Sequence, residues 1–274
     1  VALDPSDFDF VSNMVLKRSA IVLEPEKSYL VESRLLPLAR REGMSTIAEL
    51  VARIRSNPVN GLPDKVVEAM TTNETSFFRD INPFDALRKI VLPDILQRRA
   101  TERRLQIWSG ASSTGQEPYT IAIILREHFS NYSDWKLSII ATDLSTDVLE
   151  KARQARYSQL EVNRGLPAPI LIKYFQRAGV EWQLKDDVRR LVEFRQLNLI
   201  DPAWGIASAD IVFLRNVLIY FDVPTKKTIL RRIRQVLRPD GYLFLGGAET
   251  TMNLDEAYER IPFERSGCYR TRNA

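Results

Sequence analysis

One stretch of small residues, placed where a strand must turn into a helix, constrains this chain more than anything else in it. Leu105 to Trp108 is an apolar, strand-like run, and Tyr119 to His128 reads as a helix. Ser109-Gly-Ala-Ser-Ser-Thr-Gly-Gln-Glu-Pro118 joins them, and the next strand-like run, Leu137 to Thr142, ends in Asp143. A small-residue turn after one strand, followed by an acid closing the next, is how an open α/β sheet holds an adenosine. Small side chains let the backbone approach the ligand, and the acid accepts hydrogen bonds from ribose hydroxyls. The expectation is an α/β sheet that binds a nucleoside-bearing cofactor.

The rest of the chain is consistent with such a sheet. From Arg104 onward, apolar runs at 105–108, 137–142, 191–194, 210–214 and 242–245 alternate with helical stretches. That alternation predicts a mainly parallel sheet with helices on both faces. Arg238-Pro-Asp-Gly241 reads as a turn closing a helix at 224–237, and Cys268 to Thr271 as an edge strand. The stretch 157–194 is too long for a simple crossover. Gly179, the alternating Val180-Glu-Trp-Gln-Leu184 and the run near Leu191 predict a small antiparallel insertion at about 172–194.

The first 70 residues carry helix signals only. Ser6 reads as a cap for a helix over 7–19, and a second helix, 27–41, is expected to break or kink at Pro37 and to end at Gly43. Ser45 reads as the cap for 46–55, where Ile47, Leu50, Val51 and Ile54 form an apolar stripe. Asp64 to Met70 makes a fourth helix, and Asn82-Pro83 opens another that reaches about Gln97. The predicted organisation is a helical domain at 1–70 and an α/β domain at 71–274, with a linker at 71–84.

Composition removes several classes. A hydrophobic content of 45% in 274 residues supports a core. No apolar run approaches the roughly 20 residues of a membrane span, so the chain is not expected to be membrane-embedded. The opening Val-Ala-Leu-Asp-Pro lacks the plan of a signal peptide. A single cysteine, Cys268, cannot form an internal disulfide, which suits a reducing, cytoplasmic setting. One cysteine and one histidine argue against a transition-metal site. Net charge is +4 without a basic run interleaved with aromatics, so a nucleic-acid partner is not expected. Oligomeric state is not legible, and a monomer is assumed.

The turn also narrows the cofactor. Its glycines, Gly110 and Gly115, lack the middle glycine by which dinucleotide sites bring backbone to a pyrophosphate. A cofactor without phosphate relaxes that need, and S-adenosylmethionine is the common one. Glu117 could then meet the ammonium of its amino-acid part. Asn198-Leu199 and Arg215-Asn216 follow further predicted strands, at the carboxyl ends where ligands of such sheets bind.

Two more segments stand out, Asn73-Glu-Thr-Ser-Phe-Phe-Arg79 and Arg215-Asn-Val-Leu-Ile-Tyr-Phe221. With Ser113-Thr-Gly-Gln-Glu-Pro-Tyr119 between them and Leu237-Arg-Pro-Asp-Gly-Tyr-Leu-Phe244 after them, the chain resembles the chemotaxis receptor methyltransferases, the CheR family, over essentially its whole length. The resemblance implies a Rossmann-like class I methyltransferase sheet with a small all-α N-terminal domain and a small antiparallel insertion. It implies methyl transfer from S-adenosylmethionine to glutamate side chains of chemoreceptors, leaving S-adenosylhomocysteine. By motif, Asn73, Thr75, Arg79, Glu117, Asp143, Asn198, Leu199, Arg215 and Asn216 would form the cofactor site. Arg79 and Tyr220 would flank the reacting methyl group, although both could equally hold the cofactor carboxylate. No metal is implied.

The helical domain would read the helical cytoplasmic part of the receptor, with Arg34, Arg40, Arg41, Arg53 and Arg55 offering a basic face. Two departures from the family pattern are visible. Gly246-Gly-Ala-Glu249 stands where many members have Gly-His-Ser-Glu. Arg177-Ala-Gly-Val-Glu-Trp182 is shorter than the glycine-containing loop with which some members grip a receptor C-terminal pentapeptide. Independence from that tether is therefore expected.

Overall fold

The structure is a computed structural model that describes residues 3–59, 61–132, 134–263 and 266–272. The chain divides into two compact units, Val1–Thr72 with Tyr220–Thr225, and Asn73–Ile219 with Lys226–Ala274.

Four helices make up most of the first unit: α1 (Pro5–Ser19), α2 (Ser28–Arg41), α3 (Ile47–Ser56) and α4 (Leu62–Met70). Apolar pairs four apart, Val11 with Val15, Val31 with Leu35, Leu50 with Ile54 and Val66 with Met70, are all buried; this is the spacing that lays a stripe along one helix face. Local chemistry sets the ends, with small shifts from the sequence expectation. Asp4, not Ser6, caps α1, accepting from the Ser6 N–H, and Pro5 takes the first turn. Thr46, not Ser45, caps α3 through the Glu49 N–H, while Glu49 reaches back to the Ser45 N–H. Pro37 does not break α2: it forgoes only the bond its missing N–H would make, and burial of Leu35, Leu38 and Ala39 carries the helix across it. Gly43, at φ 75°, then ends the helix, with Met44 N–H donating to Ala39 and Gly43 N–H to Arg40.

The expected basic face is partly spent inside this unit. Arg34 donates to the Met70 carbonyl and to Thr72, Arg53 donates to the Glu42 carbonyl, and Arg55 pairs with Asp7 over the Phe10 ring. Arg40 and Arg41, in the last turn of α2, are exposed.

The second unit opens with a helical stretch in three parts: α5 (Asn82–Ala86), a π turn (Leu87–Val91) and α6 (Leu92–Arg98). The π turn, in which Leu92 N–H donates to Leu87, falls just before Pro93; a widened turn at that point spares the clash a proline ring makes with the carbonyl four residues back.

Among the described residues ten strands follow: β1 (Arg104–Gly110), β2 (Lys136–Asp143), β3 (Arg156–Tyr157), β4 (Phe175–Ala178), β5 (Glu181–Leu184), β6 (Val192–Gln196), β7 (Ala209–Leu214), β8 (Leu237–Leu245), β9 (Tyr258–Arg260) and β10 (Gly267–Thr271). Seven of them form one sheet in the order β6-β2-β1-β7-β8-β10-β9, parallel except for β10, which runs against both neighbours. Helices α7 (Gln116–His128), α8 (Thr146–Gln154) and α12 (Val223–Val236) follow β1, β2 and β7 in the chain, and the short helices α9 (Gln159–Asn163), α10 (Ala168–Tyr174) and α11 (Asp186–Arg189) lie between β3 and β6. Strand β7 is buried along its whole length, and Phe213 stacks on Phe244 at 4.4 Å. Such two-sided burial is what helices on both faces of a parallel sheet produce.

Three expectations shift. Cys268–Thr271 is not the edge, because the short β9 pairs outside it. Arg238–Gly241 interrupts β8 rather than preceding it: Leu237 pairs with Ala209, and pairing resumes at Tyr242 with Ile211. The run at 191–194 belongs to the large sheet through β6, whereas the small antiparallel sheet takes the order β3-β5-β4. Gly179, at φ 66°, holds the first turn position between β4 and β5, the place a two-residue hairpin reserves for glycine.

At the amino ends of β1, β7 and β8 lies a buried charge cluster. Arg99, 6% exposed, donates to Asp210 at 2.7 Å and to both oxygens of Asp240 at 2.9 and 2.6 Å. Asp210 also accepts the Gln106 N–H at 2.9 Å and a longer bond from Arg238 at 3.3 Å. No helix among the described residues is long and apolar enough to cross a membrane.

Candidate functional site

Sheet topology says where to look. Strands leave β1 toward β2 and β6 on one side and toward β7 and β8 on the other, so the order reverses between β1 and β7. Loops at the carboxyl ends of those two strands must part there, leaving the crevice in which open α/β sheets bind ligands. The turn after Gly110 and the Arg215-Asn216 pair are those loops.

Backbone conformation marks the same place. Among the described residues ten non-glycine positions have positive φ, and five of them are Phe78, Asp80, Ala111, Ser113 and Asn216. Each such residue costs of order 1–3 kcal/mol and persists only where its surroundings over-determine it.

Hydrogen bonds supply the constraint. Asp143, 7% exposed, accepts the Ser113 N–H at 2.8 Å and the Ser145 N–H at 3.0 Å. The Ser112 N–H donates to the Thr142 carbonyl at 2.9 Å, so the turn is stitched across to the end of β2. The Ser113 hydroxyl donates to the Asn73 carbonyl at 2.8 Å and ties the segment before α5 to the same turn.

Glu117, in the first turn of α7, accepts from the Ser109 hydroxyl at 2.9 Å and from Arg215 at 2.8 Å. The Arg215 side chain is 1% exposed; it also donates to the Arg79 carbonyl and to Asp80, both at 3.0 Å, and lies over the Phe84 ring. One guanidinium thus joins the end of β7, the start of α7 and the segment at 79–80. The Arg79 side chain turns back to the Glu74 carbonyl at 2.9 Å, and Thr75 is half-buried nearby in sequence.

Among the sequence candidates, Arg79, Glu117 and Arg215 are therefore joined by direct bonds, and Asn73 and Asp143 are joined through Ser113. Asn216 follows Arg215, and its N–H donates to Glu249. Asn198 and the buried Leu199 lie just past β6, where the Asn198 side chain accepts the Ile200 N–H at 3.3 Å. Tyr220 closes a 3₁₀ turn, Leu218–Tyr220; it is half-buried, and its carbonyl accepts the Val22 N–H within the helical unit. Ser109, Ser113 and Glu249 were missed by sequence reasoning. The two serines sit inside the small-residue turn and carried a signal; Glu249, four residues beyond the end of β8, carried only its place in the Gly246-Gly-Ala-Glu249 stretch.

Among the described residues, two buried polar atoms here find no hydrogen-bond partner, the Ser112 hydroxyl and the Arg215 Nε. Such groups in a native structure ask for a ligand or water. An amino-acid carboxylate, an ammonium and ribose hydroxyls are the polar groups of S-adenosylmethionine, and the donors and acids at this crevice fit them.

Comparison with known proteins agrees with this chemistry. Residues 73–266 match the family described as CheR methyltransferase, SAM binding domain, and residues 6–71 match CheR methyltransferase, all-alpha domain. The chain is 42% identical over 259 residues to the chemotaxis protein methyltransferase Cher2 of Pseudomonas putida, covering 93% of this chain and 94% of that one. It is 41% identical over 271 residues to chemotaxis protein methyltransferase 1 of Pseudomonas aeruginosa, covering 97% and 98%. With the chemotaxis protein methyltransferase of Vibrio parahaemolyticus it shares 37% over 264 residues, 95% of each chain. An open sheet with an acid-and-arginine crevice at its switch point, preceded by a four-helix segment, is thus matched over nearly its whole length, and the chain belongs to the CheR methyltransferase family.

Proposed function

We propose that this chain is a protein-glutamate O-methyltransferase that esterifies glutamate side chains on the helical cytoplasmic part of chemoreceptors. The observation that carries the reading is the Asp143, Glu117 and Arg215 constellation at the switch point of a family methyltransferase sheet. S-adenosylmethionine, when bound, supplies a methyl carbon already activated by a cationic sulfur. A glutamate carboxylate has an ordinary pKa of about 4.3, so it reaches the site ionised at neutral pH and needs no general base.

The chain's own residues are left to bind, orient and exclude water. Asp143 holds the ribose hydroxyls, Glu117 the ammonium, and Asn198 and Leu199 border the adenine. Arg79 and Tyr220 orient the incoming carboxylate, for which near-attack geometry supplies several kcal/mol. The helical unit meets the receptor, with Arg40 and Arg41 among its exposed cations. A cytoplasmic setting follows from the substrate.

The test is transfer of labelled methyl to receptor-containing membranes, followed by mild alkali. Label released as volatile methanol supports a carboxyl ester; alkali-stable label rejects it. Tyr220→Ala should cut kcat at least about 100-fold while S-adenosylhomocysteine still binds in calorimetry. Unchanged turnover in that variant would remove Tyr220 from the site.

Dependence on a receptor C-terminal pentapeptide is not expected. The β4–β5 turn is two residues long, and the Trp182 ring is covered by Arg177 at 4.2 Å, with both side chains donating to Gln159. Removing the receptor's last five residues should leave the methylation rate unchanged, and the free pentapeptide should bind at millimolar affinity or not at all; micromolar binding would sink this expectation.

A further inference from the structure

We propose that Glu249 is a positioning residue for methyl transfer, its carboxylate fixing the backbone that carries Asn216 and leads on to Tyr220. Strand β8 stops at Leu245, and Gly246 to Glu249 make a turn closed by the Glu249 N–H donating to the Gly246 carbonyl at 2.9 Å. The side chain folds back over that turn. Its Oε2 accepts the N–H groups of Asn216 at 2.8 Å and Gly246 at 2.7 Å. Its Oε1 accepts those of Val217 at 2.9 Å and Leu218 at 2.7 Å. Glu249 is 8% exposed, so little water is at hand to replace it.

The chemistry is specific to a carboxylate. Four backbone donors converge on two oxygens, and an ionised acid offers about four lone-pair sites and no competing proton. An amide of the same size would turn an NH₂ group toward two of the donors. Two further observations show why a clamp belongs here. Asn216 turns the loop at φ 58°, in the left-handed region that asparagine enters more readily than most residues, and the clamp fixes the backbone at that turn. A Cβ on Gly246 would lie 2.8 Å from the Asn216 Nδ2 and 2.9 Å from its N, so the loops after β7 and β8 approach too closely for a side chain at 246. The loop after β7 is therefore locked from the β8 side, independently of Arg215, which holds it from the β1 side.

This role rests on the reading of the crevice as the methyl-transfer site, and the experiment separates the two. Glu249→Gln is expected to lower kcat about 100-fold, the size of loss that a 1 Å misplacement produces. KM for receptor should stay within about threefold, with native circular dichroism. Glu249→Asp, which keeps the charge one methylene short, should fall between Gln and wild type. A Gln variant with wild-type kcat, or one whose loss matches its unfolded fraction, overturns the role. A measurement on the unaltered protein guards against variants that fail to fold: the Asn216, Val217 and Leu218 amides should exchange with deuterium as slowly as those of Phe213 and Leu214. Exchange at open-loop rates overturns the clamp. Wild-type protein that transfers no methyl to receptors would instead reject the proposed function, with hydrogen exchange still judging the clamp.

Discussion

Gly165→Ala is expected to abolish most methyl transfer, whereas Gly179→Ala leaves it within about twofold. Both glycines have positive φ, 86° and 66°, and at such positions alanine is strained by about 1 kcal/mol or more. Their surroundings differ. Among the described residues nothing lies within 4 Å of a Cβ on Gly179, but a Cβ on Gly165 would sit 2.0 Å from the Phe77 carbonyl oxygen. The obstacle is main chain, so no rotamer change relieves it. The segment from 73 to 80 has to move, and with it Asn73, Thr75 and Arg79. That segment is also anchored by its neighbours: the Phe77 ring is fully buried against Tyr157 and Phe175 in edge contacts of 5.0 and 5.6 Å. Strain plus overpacking should exceed about 3 kcal/mol. Urea midpoints and kcat measured on the same preparations decide the matter, and a Gly165→Ala protein as mild as Gly179→Ala would refute it.

The second large effect concerns stability alone. Arg99→Met is expected to cost about 3–5 kcal/mol, because removing one member of a buried charge cluster strands the others. Asp210, whose side chain is 3% exposed, would keep only the 3.3 Å bond from Arg238 and the Gln106 N–H. Urea denaturation should show the loss, and adding Asp210→Asn should recover part of it by removing the stranded charge. Lys27→Met, which breaks an exposed pair with Glu24, serves as the control and should leave the midpoint in place.

The cluster also sets a pH dependence. Arg99 beside Asp240 holds its carboxyl below the ordinary 3.8. A carboxyl with a lowered folded-state pKa contributes stability above its unfolded value and surrenders it as pH falls through the folded one. Wild-type stability should therefore fall on acidification below about pH 4 more steeply than that of Arg99→Met. Parallel acid limbs would show that Asp240 gains nothing from Arg99.

Where sequence reasoning succeeded, the signal was local. Continuous apolar runs located the large sheet's parallel strands, since a strand covered on both faces buries nearly every side chain. The small residues after Trp108 announced a tight strand-to-helix turn, and Asp143 stood out because it closes the following strand. Errors of one or two residues at helix ends, such as Ser6 for Asp4 and Ser45 for Thr46, arose because adjacent polar residues compete to cap the same N–H groups. Cys268–Thr271 was misplaced at the edge because the three residues of β9 are too few to show a pattern.

The candidate site was legible by residue type and only partly by arrangement. Arg215 reads in sequence as a polar residue after a strand. In the folded chain its side chain is 1% exposed and bonded to Glu117, 98 residues away. Glu249 read as the remnant of a four-residue motif, and its four donors lie up to 33 residues away. Five arginines read as a basic face, yet three of them are engaged with carbonyls or acids of their own unit.

The division follows from the range of the forces. Periodicity, turn chemistry and capping act within about four residues, so the sequence alone determined that strands and helices alternate, where the small-residue turn after β1 lies and which acid closes β2. Burial, ion pairing and close backbone approach depend on which segments the sheet order brings together. Only the tertiary structure decided that Arg99 would pair with both Asp210 and Asp240, that Gly165 would lie against Phe77, and that Glu249 would gather four N–H groups. The ion pairs and the carboxylate clamp draw their strength from the exclusion of water, and no segment of the chain excludes water until the others are packed around it.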